Sequence, residues 1–276
     1  PEFLQEFAAP GSAVADGRLQ RGEATLFPNL FPYDDISAVA VMSQPHYLSA
    51  PLPATVIADT VKLARDFFAH CLRCNLADAE SYGLLNWNYL PAAGGSQMHP
   101  HMQVALTAHP GNRLARELAA ESAYQQRHGR TYAADLLTAE RDGPRWLVAD
   151  AAAAWLVPYA PTGVMGDALA LFPGKSRLTD LSDADIDAFA ASLVKIVAAF
   201  RAQGLASFNL TFFPDHAGND SGRHWLSARL LPRLYLNNML HVTDASYLQL
   251  LLQEAFCMRH PEATAAQLRQ HGITAA

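Results

Sequence analysis

Cysteine is scarce in this chain: only three of its 276 residues are Cys. An odd and low number argues against a disulfide-stabilised extracellular scaffold and favours a reducing compartment, so we expect a cytoplasmic protein. Long apolar runs are also lacking. None approaches the ~20 residues of a membrane span, and the N-terminus has no basic region followed by an apolar one. The sequence therefore predicts no membrane partner.

Positive charge is the third deficit. The chain carries 20 Lys and Arg residues against 26 Asp and Glu residues, which gives a formal net charge of -6 at pH 7. Proteins that bind the phosphate backbone of nucleic acids usually present a basic surface, so we expect no nucleic-acid partner. With 50% hydrophobic residues, a chain of this length can bury a large core in one domain or two.

What the chain does have is a strand candidate that carries two histidines and an amide. If residues 98–106 are extended, the period of two puts His99, His101 and Gln103 on one face of the strand. Neutral imidazole is a competent nucleophile near pH 7. Alternating histidines on a strand also occur as metal ligands or on a solvated face, so the pair alone does not identify the chemistry.

A loop of small residues precedes this strand. Gly94, Gly95 and Ser96 lack bulk, so their backbone N–H groups can approach anionic oxygens closely. A solvated strand does not need such a loop. Together the loop and the histidines indicate a site that holds a phosphate, attacks it and stabilises the developing charge.

The rest of the chain alternates short strand patterns with longer helical ones. Apolar residues at helical spacing predict a helix over residues 54–73. Strands are expected over 36–42, 83–88, 103–108, 145–148, 153–159, 168–172, 208–213 and 225–231. Further helices are expected over 113–140 with an interruption near residue 129, from 182 to about 203, over 246–258 and over 262–270.

This order contains one strand, strand, helix, strand, strand unit twice, which indicates the internal duplication of an α+β unit. We expect residues 1–24 to be an N-terminal arm, since they show little periodicity and order is predicted to begin near residue 25. Residues 25–142 then form the first half, which carries the His-Pro-His motif, and residues 143–276 form the second.

The motif resembles a known family. The run Ser96–Gln103 is similar to the Ser-x-x-His-Pro-His-x-Gln signature of galactose-1-phosphate uridylyltransferases, a branch of the histidine triad superfamily. Weaker similarities extend over nearly the whole chain and include residues 26–32, 157–159 and 171–175. The resemblance implies an α+β fold of two histidine-triad-like halves that share a mainly antiparallel sheet with flanking helices. It also implies a homodimer.

The resemblance further implies a role for each matching residue. His101 is expected to attack the α-phosphorus of a bound nucleotide and form a covalent nucleotidyl-histidine. Gln103 would hydrogen-bond a nonbridging oxygen, and His99 would fix the strand through its ring or a bound metal. The remaining expected contacts are to phosphates from Ser96 and the backbone at Gly94 and Gly95, and to the nucleoside from Asn29 and Asn88.

Departures from the family pattern limit the metal prediction. Zinc-binding members carry a Cys-x-x-Cys before the first strand, whereas this chain has no cysteine before Cys71. His46 and His99 match the two histidine ligands, so half of the ligand set is missing. Cys71 and Cys74 form a Cys-x-x-Cys, but late in the predicted helix over 54–73. We therefore predict no certain cofactor, with zinc as the alternative.

The second half departs further. Arg229 occupies a position where the family has a histidine, so it either contacts an anionic substrate or pairs with an acid such as Asp150. The stretch that grips the hexose in the family has no counterpart in residues 239–251, so galactose 1-phosphate is not the expected acceptor.

The function predicted from the sequence is a nucleotidyltransferase that acts through nucleotidyl-His101 on a nucleoside diphosphate or nucleotide-sugar donor. A hydrolase or phosphorylase of the same fold, in which water or inorganic phosphate resolves the intermediate, is the second hypothesis. A nucleotide-binding protein without turnover and a catalyst repurposed for an unrelated small molecule are also compatible with these residues.

Overall fold

The structure is a computed structural model that describes residues 17–34, 36–45 and 52–273. The strands are β1 Leu19–Arg21, β2 Ala24–Pro28, β3 Ile36–Val41, β4 Tyr82–Tyr89, β5 His101–Thr107, β6 Trp146–Ala149, β7 Ala154–Leu156, β8 Ala168–Leu171, β9 Ser207–Phe213, β10 Ser227–Arg233, β11 Tyr235–Asn237 and β12 Val242–Thr243. The helices are α1 Ala54–Arg73, α2 Asn112–His128, α3 Tyr132–Glu140, α4 Asp183–Ala202, α5 Tyr247–Leu250 and α6 Pro261–Gln270.

Ten strands form one antiparallel sheet in the order β1-β2-β3-β5-β4-β9-β10-β8-β7-β6. Read inward from either edge, the order is the same: β1-β2-β3-β5-β4 from one side and β6-β7-β8-β10-β9 from the other. Helix α1 lies between β3 and β4 in the chain, as α4 lies between β8 and β9. The two halves meet at the β4–β9 pair. The predicted duplication with a shared antiparallel sheet is therefore confirmed.

One face of this sheet packs against helices and forms the hydrophobic core. Helices α1 and α4 pack there against buried strand residues and against each other, and Lys62 Nζ of α1 donates to Asp187 Oδ1 of α4 at 2.6 Å. Along β5, Met102 and Val104 are buried toward the helices, whereas His101 and Gln103 are half-buried on the opposite face. The predicted alternation of β5 is confirmed, and its polar side chains lie on the face away from the core.

Helices α2 and α3 cover that opposite face only in the second half. Their separation occurs where it was predicted, because Gly129 has a φ of +67° and donates its N–H to Gln125 O, which ends α2. Side chains of both helices line a cavity together with residues of β7, β8 and β10. This face of the sheet is therefore covered by helices α2 and α3 in the second half of the molecule, but these helices do not cover it in the first half.

Three predictions of local structure were wrong. Ordered structure begins before residue 25, since β1 (Leu19–Arg21) pairs with β2. The helix expected over 246–258 is limited to Tyr247–Leu250, because Gln253 has a φ of +55° and the segment has no buried face. Strand β10 continues to Arg233 through Pro232, which β10 tolerates because β8 pairs with it only up to Leu230.

None of the helices in the described ranges has both the length and the apolar character needed to cross a membrane.

Candidate active site

His101 opens β5 and is held in one tautomer by the backbone. Its Nδ1 lies 2.8 Å from His99 O. A carbonyl oxygen can only accept, so Nδ1 carries a proton, and in the neutral ring Nε2 has the lone pair. The ring is half-buried, which leaves part of it open to solvent. In the neutral ring of His101, Nε2 is therefore the unprotonated nitrogen.

The segment that leads into β5 is anchored to the end of β3. His99 Nε2 lies 2.6 Å from Ser43 O, and Met42 N donates to Pro100 O at 3.0 Å. His99 precedes the strand rather than lying in it, since β5 begins at His101. The ring of His99 thus connects the segment before β5 to the segment after β3. His46, the other histidine matched to a metal ligand, lies outside the described residues.

Gln103 is oriented by Asn29, which follows β2. Asn29 Nδ2 lies 3.2 Å from Gln103 Oε1 and 3.4 Å from Ser37 Oγ, and Asn29 Oδ1 accepts from Phe31 N at 3.1 Å. Because Oε1 of Gln103 accepts from Asn29, the amide N–H groups of Gln103 are available as donors. Asn29 was expected to contact the nucleoside, yet its side chain is occupied within the protein and instead orients Gln103.

The glycine loop is a tight turn whose N–H groups are already used. Gly94 N donates to Pro91 O at 2.9 Å and Gly95 N to Leu90 O at 3.1 Å. The expectation that these two N–H groups hold phosphate is therefore corrected: both close the turn. Ser96 is exposed and is the residue of this loop whose hydroxyl can meet an oxyanion.

Gly95 is required by close packing rather than by its dihedral angles. A Cβ added there would lie 2.9 Å from Asn88 O and 3.0 Å from Leu90 O, closer than real Cβ atoms come. Leu90 itself has φ +71° and ψ 163°, a region that residues other than glycine rarely adopt. Strain and close approach thus concentrate in the turn beside His101.

A hydrogen-bonded chain from the second half fixes Asn88 at the same place. Asn209 Nδ2 donates to Asn88 Oδ1 at 2.7 Å and to Ala93 O at 2.8 Å. Arg233 Nη1 donates to Asn209 Oδ1 at 2.9 Å, and the Arg233 guanidinium pairs with the buried carboxylate of Asp244. With its oxygen engaged, Asn88 offers its amide N–H groups beside the turn. Sequence reasoning missed Asn209, Arg233 and Asp244.

Arg229 lies away from the cluster around His101, by which we mean His101, Gln103, Asn29 and Asn88. The register places Gln103 opposite Asn86, Asn86 opposite Thr211 and Thr211 opposite Arg229, so these residues form one row on the same face. Arg229 is three strands from Gln103, which is roughly 14 Å at the usual strand spacing. It pairs with Asp167 at 2.6 Å and not with Asp150, the acid proposed from the sequence.

Asp150 instead accepts hydrogen bonds from the backbone of residues 152 and 153 and from Ser192 Oγ.

Metal binding receives no support from the donor set. Within the described residues, no three His, Cys, Asp or Glu side chains are placed to hold a metal ion. Cys71 is buried, and burial raises the pKa of its thiol to about 11. Cys74 Sγ is exposed and lies 3.7 Å from His70 Nε2. In the part of the chain that the structure describes, the Cys71–Cys74 pair thus lacks the further ligands that complete a tetrahedral zinc site.

Comparison with known proteins gives few sequence relatives. No protein-family model matches the chain. An uncharacterised protein of Archaeoglobus fulgidus is 26% identical over 215 residues, which cover 77% of this chain and 63% of that protein. The chain thus spans less than two thirds of the length of this relative.

Solved structures are more informative. A uridylyltransferase structure superposes with a TM-score of 0.79 over 91% of this chain and 85% of that one, at 17% identity. The chain has the uridylyltransferase fold. A GalT-like protein of Arabidopsis thaliana gives 0.75 at 14% identity, covering 91% of this chain and 84% of that one. An ADP-glucose phosphorylase of the same plant, solved with ADP-glucose bound, gives 0.76 at 14% identity, with coverage of 91% and 82%. The fold implied by the Ser-x-x-His-Pro-His-x-Gln resemblance is therefore confirmed.

Proposed function

We propose that the protein is a nucleotidyltransferase that uses His101 as its nucleophile. The observation that carries the proposal is the bond from Nδ1 of His101 to His99 O, because it leaves Nε2 with a lone pair at the edge of a polar cluster. The amides of Gln103 on β5 and Asn88 on the neighbouring β4 can donate hydrogen bonds, and the exposed hydroxyl of Ser96 lies on the loop that leads into β5. These groups are suited to bind and stabilise a phosphoryl group without further covalent chemistry.

The reaction proceeds in two displacements. Nε2 of His101 attacks the α-phosphorus of a nucleoside diphosphate or nucleotide-sugar donor, the P–N bond forms, and the P–O bond to the leaving phosphate or sugar phosphate breaks. The electron pair leaves with that oxygen. An acceptor oxyanion then attacks the same phosphorus, and the P–N bond breaks to restore neutral His101. Separate half-reactions predict ping-pong kinetics.

The nucleoside itself has a platform on the neighbouring loop. Phe31 and Tyr33 are 78% and 79% exposed, and Phe31 is tied to the cluster through its N–H bond to Asn29. Exposed aromatic rings gain about 1–3 kcal/mol per stacked base in single-stranded nucleic-acid complexes. We assign the base of the donor to this loop.

A phosphorylase or hydrolase is the second candidate. The ADP-glucose phosphorylase of Arabidopsis thaliana shares the fold, and the loop side at residues 96–98 is exposed, so inorganic phosphate or water can reach an intermediate on His101. In either version the first half-reaction is the same.

We expect a homodimer of cytoplasmic location. None of the three cysteines is in a disulfide, which suits a reducing compartment.

The experiment that tests the proposal traps the covalent intermediate of the first half-reaction. The protein is offered a panel of α-³²P-labelled nucleotides and nucleotide sugars without an acceptor and is denatured in alkali, in which phosphoramidates survive. We expect label on the protein that acid releases and that His101→Asn abolishes. Release of free nucleotide by water alone assigns the hydrolase, and release only with inorganic phosphate assigns the phosphorylase. Binding of a donor without any label would reject the covalent mechanism and leave a non-catalytic nucleotide-binding protein.

A further inference from the structure

The second half of the molecule contains a cavity on the same sheet face as His101. It lies between helices α2 and α3 and strands β7, β8 and β10, and its volume is about 470 Å³. Pockets that bind small molecules typically measure about 300–1,000 Å³. The cavity is therefore large enough for a small ligand, and its position differs from that of the cluster around His101.

Most of its wall is apolar. The strands contribute Leu156, Leu169 and Leu171, α3 contributes Leu136, and Trp225 also lines the cavity. Such a wall favours an apolar ligand body because burial of apolar surface removes it from water.

Two guanidinium groups converge at one end of this apolar space. Arg113 Nη1 and Arg229 Nη1 donate to the same hydroxyl, Thr162 Oγ1, at 3.0 and 3.1 Å. Arg113 also lies in the first turn of α2, where the helix dipole favours negative charge, and that turn contains no acidic residue. The pKa of Arg113 is lowered, first by burial and then by the positive charge of Arg229. The two guanidinium groups thus lie close together, and an oxyanion between them would be attracted to both.

The acids of the cavity leave donors of both arginines unused. Asp167 accepts from Arg229 Nη1 and Glu117 from Arg113 Nε, while Glu121 pairs with His224. Within the described residues, Nε and Nη2 of Arg229 and Nη2 of Arg113 make no hydrogen bond to protein. These N–H groups belong to side chains that line the cavity.

We propose that this cavity is a second ligand site, which takes a small molecule carrying a carboxylate or a phosphate on an apolar body. The oxyanion lies between Arg113 and Arg229, and the apolar body packs against the leucines of β7, β8 and α3. The site is roughly 14 Å from Gln103 across the sheet, and its occupancy does not depend on the chemistry of His101.

Binding of defined probes to the whole protein tests this site. Calorimetric titration compares 3-phenylpropionate and phenyl phosphate, two oxyanions on an aromatic body, with 3-phenylpropionamide as the uncharged control. We expect at least one anion to bind at least tenfold more tightly than the amide, and the better of the two identifies carboxylate or phosphate as the preferred group. Arg113→Gln should weaken that anion by tenfold or more. Arg116→Gln, an exposed arginine on the same helix, should leave its affinity unchanged.

Two more variants distinguish binding in this cavity from binding at the His101 cluster and from a loss of folding. His101→Asn should bind the anion as the wild type does, because the proposed nucleotide site is elsewhere. Leu136→Trp should abolish binding because the larger side chain fills the apolar part of the cavity. This variant also tests the site if Arg113→Gln does not fold stably. Equal affinity for the amide, wild-type affinity of Arg113→Gln in a folded protein, or no binding of either anion overturns the proposal.

Discussion

At the scale of single residues, the proposed chemistry depends on which nitrogen of His101 is free. The bond to His99 O uses Nδ1, and His99 is in turn held at Ser43 O. The nucleophile is thus oriented by two backbone carbonyls rather than by a carboxylate. A neutral imidazole so held needs no separate base, because Nε2 already presents its lone pair.

Adding a single methyl group at Gly95 should reduce the catalytic rate. In Gly95→Ala the new methyl group meets Asn88 O and Leu90 O, so the turn beside His101 must move. A displacement of about 1 Å can cost about 100-fold in rate, and we expect a loss of that order in kcat/KM.

Gly129→Ala is the matched control, since Gly129 lies at the end of α2 with open space around it. It should cost stability, about 1 kcal/mol, but not activity. Equal activity of Gly95→Ala and the wild type would show that the turn does not position the reacting groups.

Asn209 should act through Asn88. Replacing it with Ala removes the bonds to Asn88 Oδ1 and Ala93 O, so the amide of Asn88 loses its fixed orientation. We expect about a tenfold rise in the KM of the donor with a smaller change in kcat, measured by steady-state kinetics. Asn219→Ala, which removes an amide at the opposite end of β4, should leave both constants unchanged. A fall in kcat alone would contradict the positioning role.

The sequence predicted the local part of this site and missed the part supplied across the sheet. The period of two along β5 correctly separated His101 and Gln103 from the buried Met102 and Val104. The contact of Asn209 with Asn88 depends on the pairing of β9 with β4, which joins residues 121 positions apart. Local periodicity contains no information about that pairing. For the same reason the sequence does not predict that the Asn29 side chain makes its hydrogen bonds within the protein.

At the scale of elements, a buried histidine links α2 to the end of β9. His224 faces an acceptor on each ring nitrogen, Glu121 Oε2 at 2.7 Å and Phe213 O at 2.9 Å. Burial lowers the pKa of His224, but the bond and charge of Glu121 and the bond to Phe213 O outweigh it and raise the pKa above its ordinary value of 6.5. The protonated ring is therefore the form that the fold stabilises.

This contact should make stability depend on pH in a defined direction. Because the folded-state pKa of His224 lies above the unfolded one, its contribution is complete below about pH 6.5 and is lost as the pH rises through the folded value. His224→Gln should lower the free energy of unfolding by about 2 kcal/mol at pH 6 and by less at pH 9, measured by urea denaturation. His128→Gln, exposed at the end of α2, should show no such difference. A loss that grows with pH would contradict the assignment.

Helix prediction succeeded where packing and local signals agree. Helix α1 has the bounds Ala54–Arg73 expected from its apolar spacing, and its apolar face is buried against the sheet. The segment after Tyr247 has the same apolar character but no partner surface among the described residues, and it remains helical for a single turn. Apolar content alone does not hold a helix that has nothing to pack against.

At the scale of the whole molecule, the two halves share a strand order but not a chemistry. Strand β5 carries His101 and Gln103 on the open face, whereas its counterpart β10 carries Arg229 on the same face beneath α2 and α3. The first half thus presents an imidazole and an amide on this face, and the second presents a guanidinium paired with Asp167 at the edge of an apolar cavity. Duplication of the fold was predictable from the repeated order of elements, while the covering of one half was not, because α2 and α3 carry no sequence signal of where they dock.

The exposed apolar surface indicates self-association. Ten of the 17 large hydrophobic side chains that are exposed in the described residues lie between Leu236 and Met258, among them Met239 at 92% and Leu251 at 79%. Exposed apolar side chains commonly mark an interface where they form one patch. We expect light scattering after size exclusion to give twice the chain mass of 30.0 kDa, and Leu251→Glu to shift the protein to the monomer. Leu76→Glu, an exposed leucine elsewhere, is the control; a monomeric wild type would reject the interface.

The position of the nucleotidyl group on the trapped protein tests the central claim most directly. The adduct formed with an accepted donor is digested, and the modified histidine and its substituted nitrogen are identified by mass spectrometry and ³¹P NMR. We expect one phosphoramidate, on Nε2 of His101. An adduct on Nδ1, on another residue, or none with a donor that the protein turns over would contradict it.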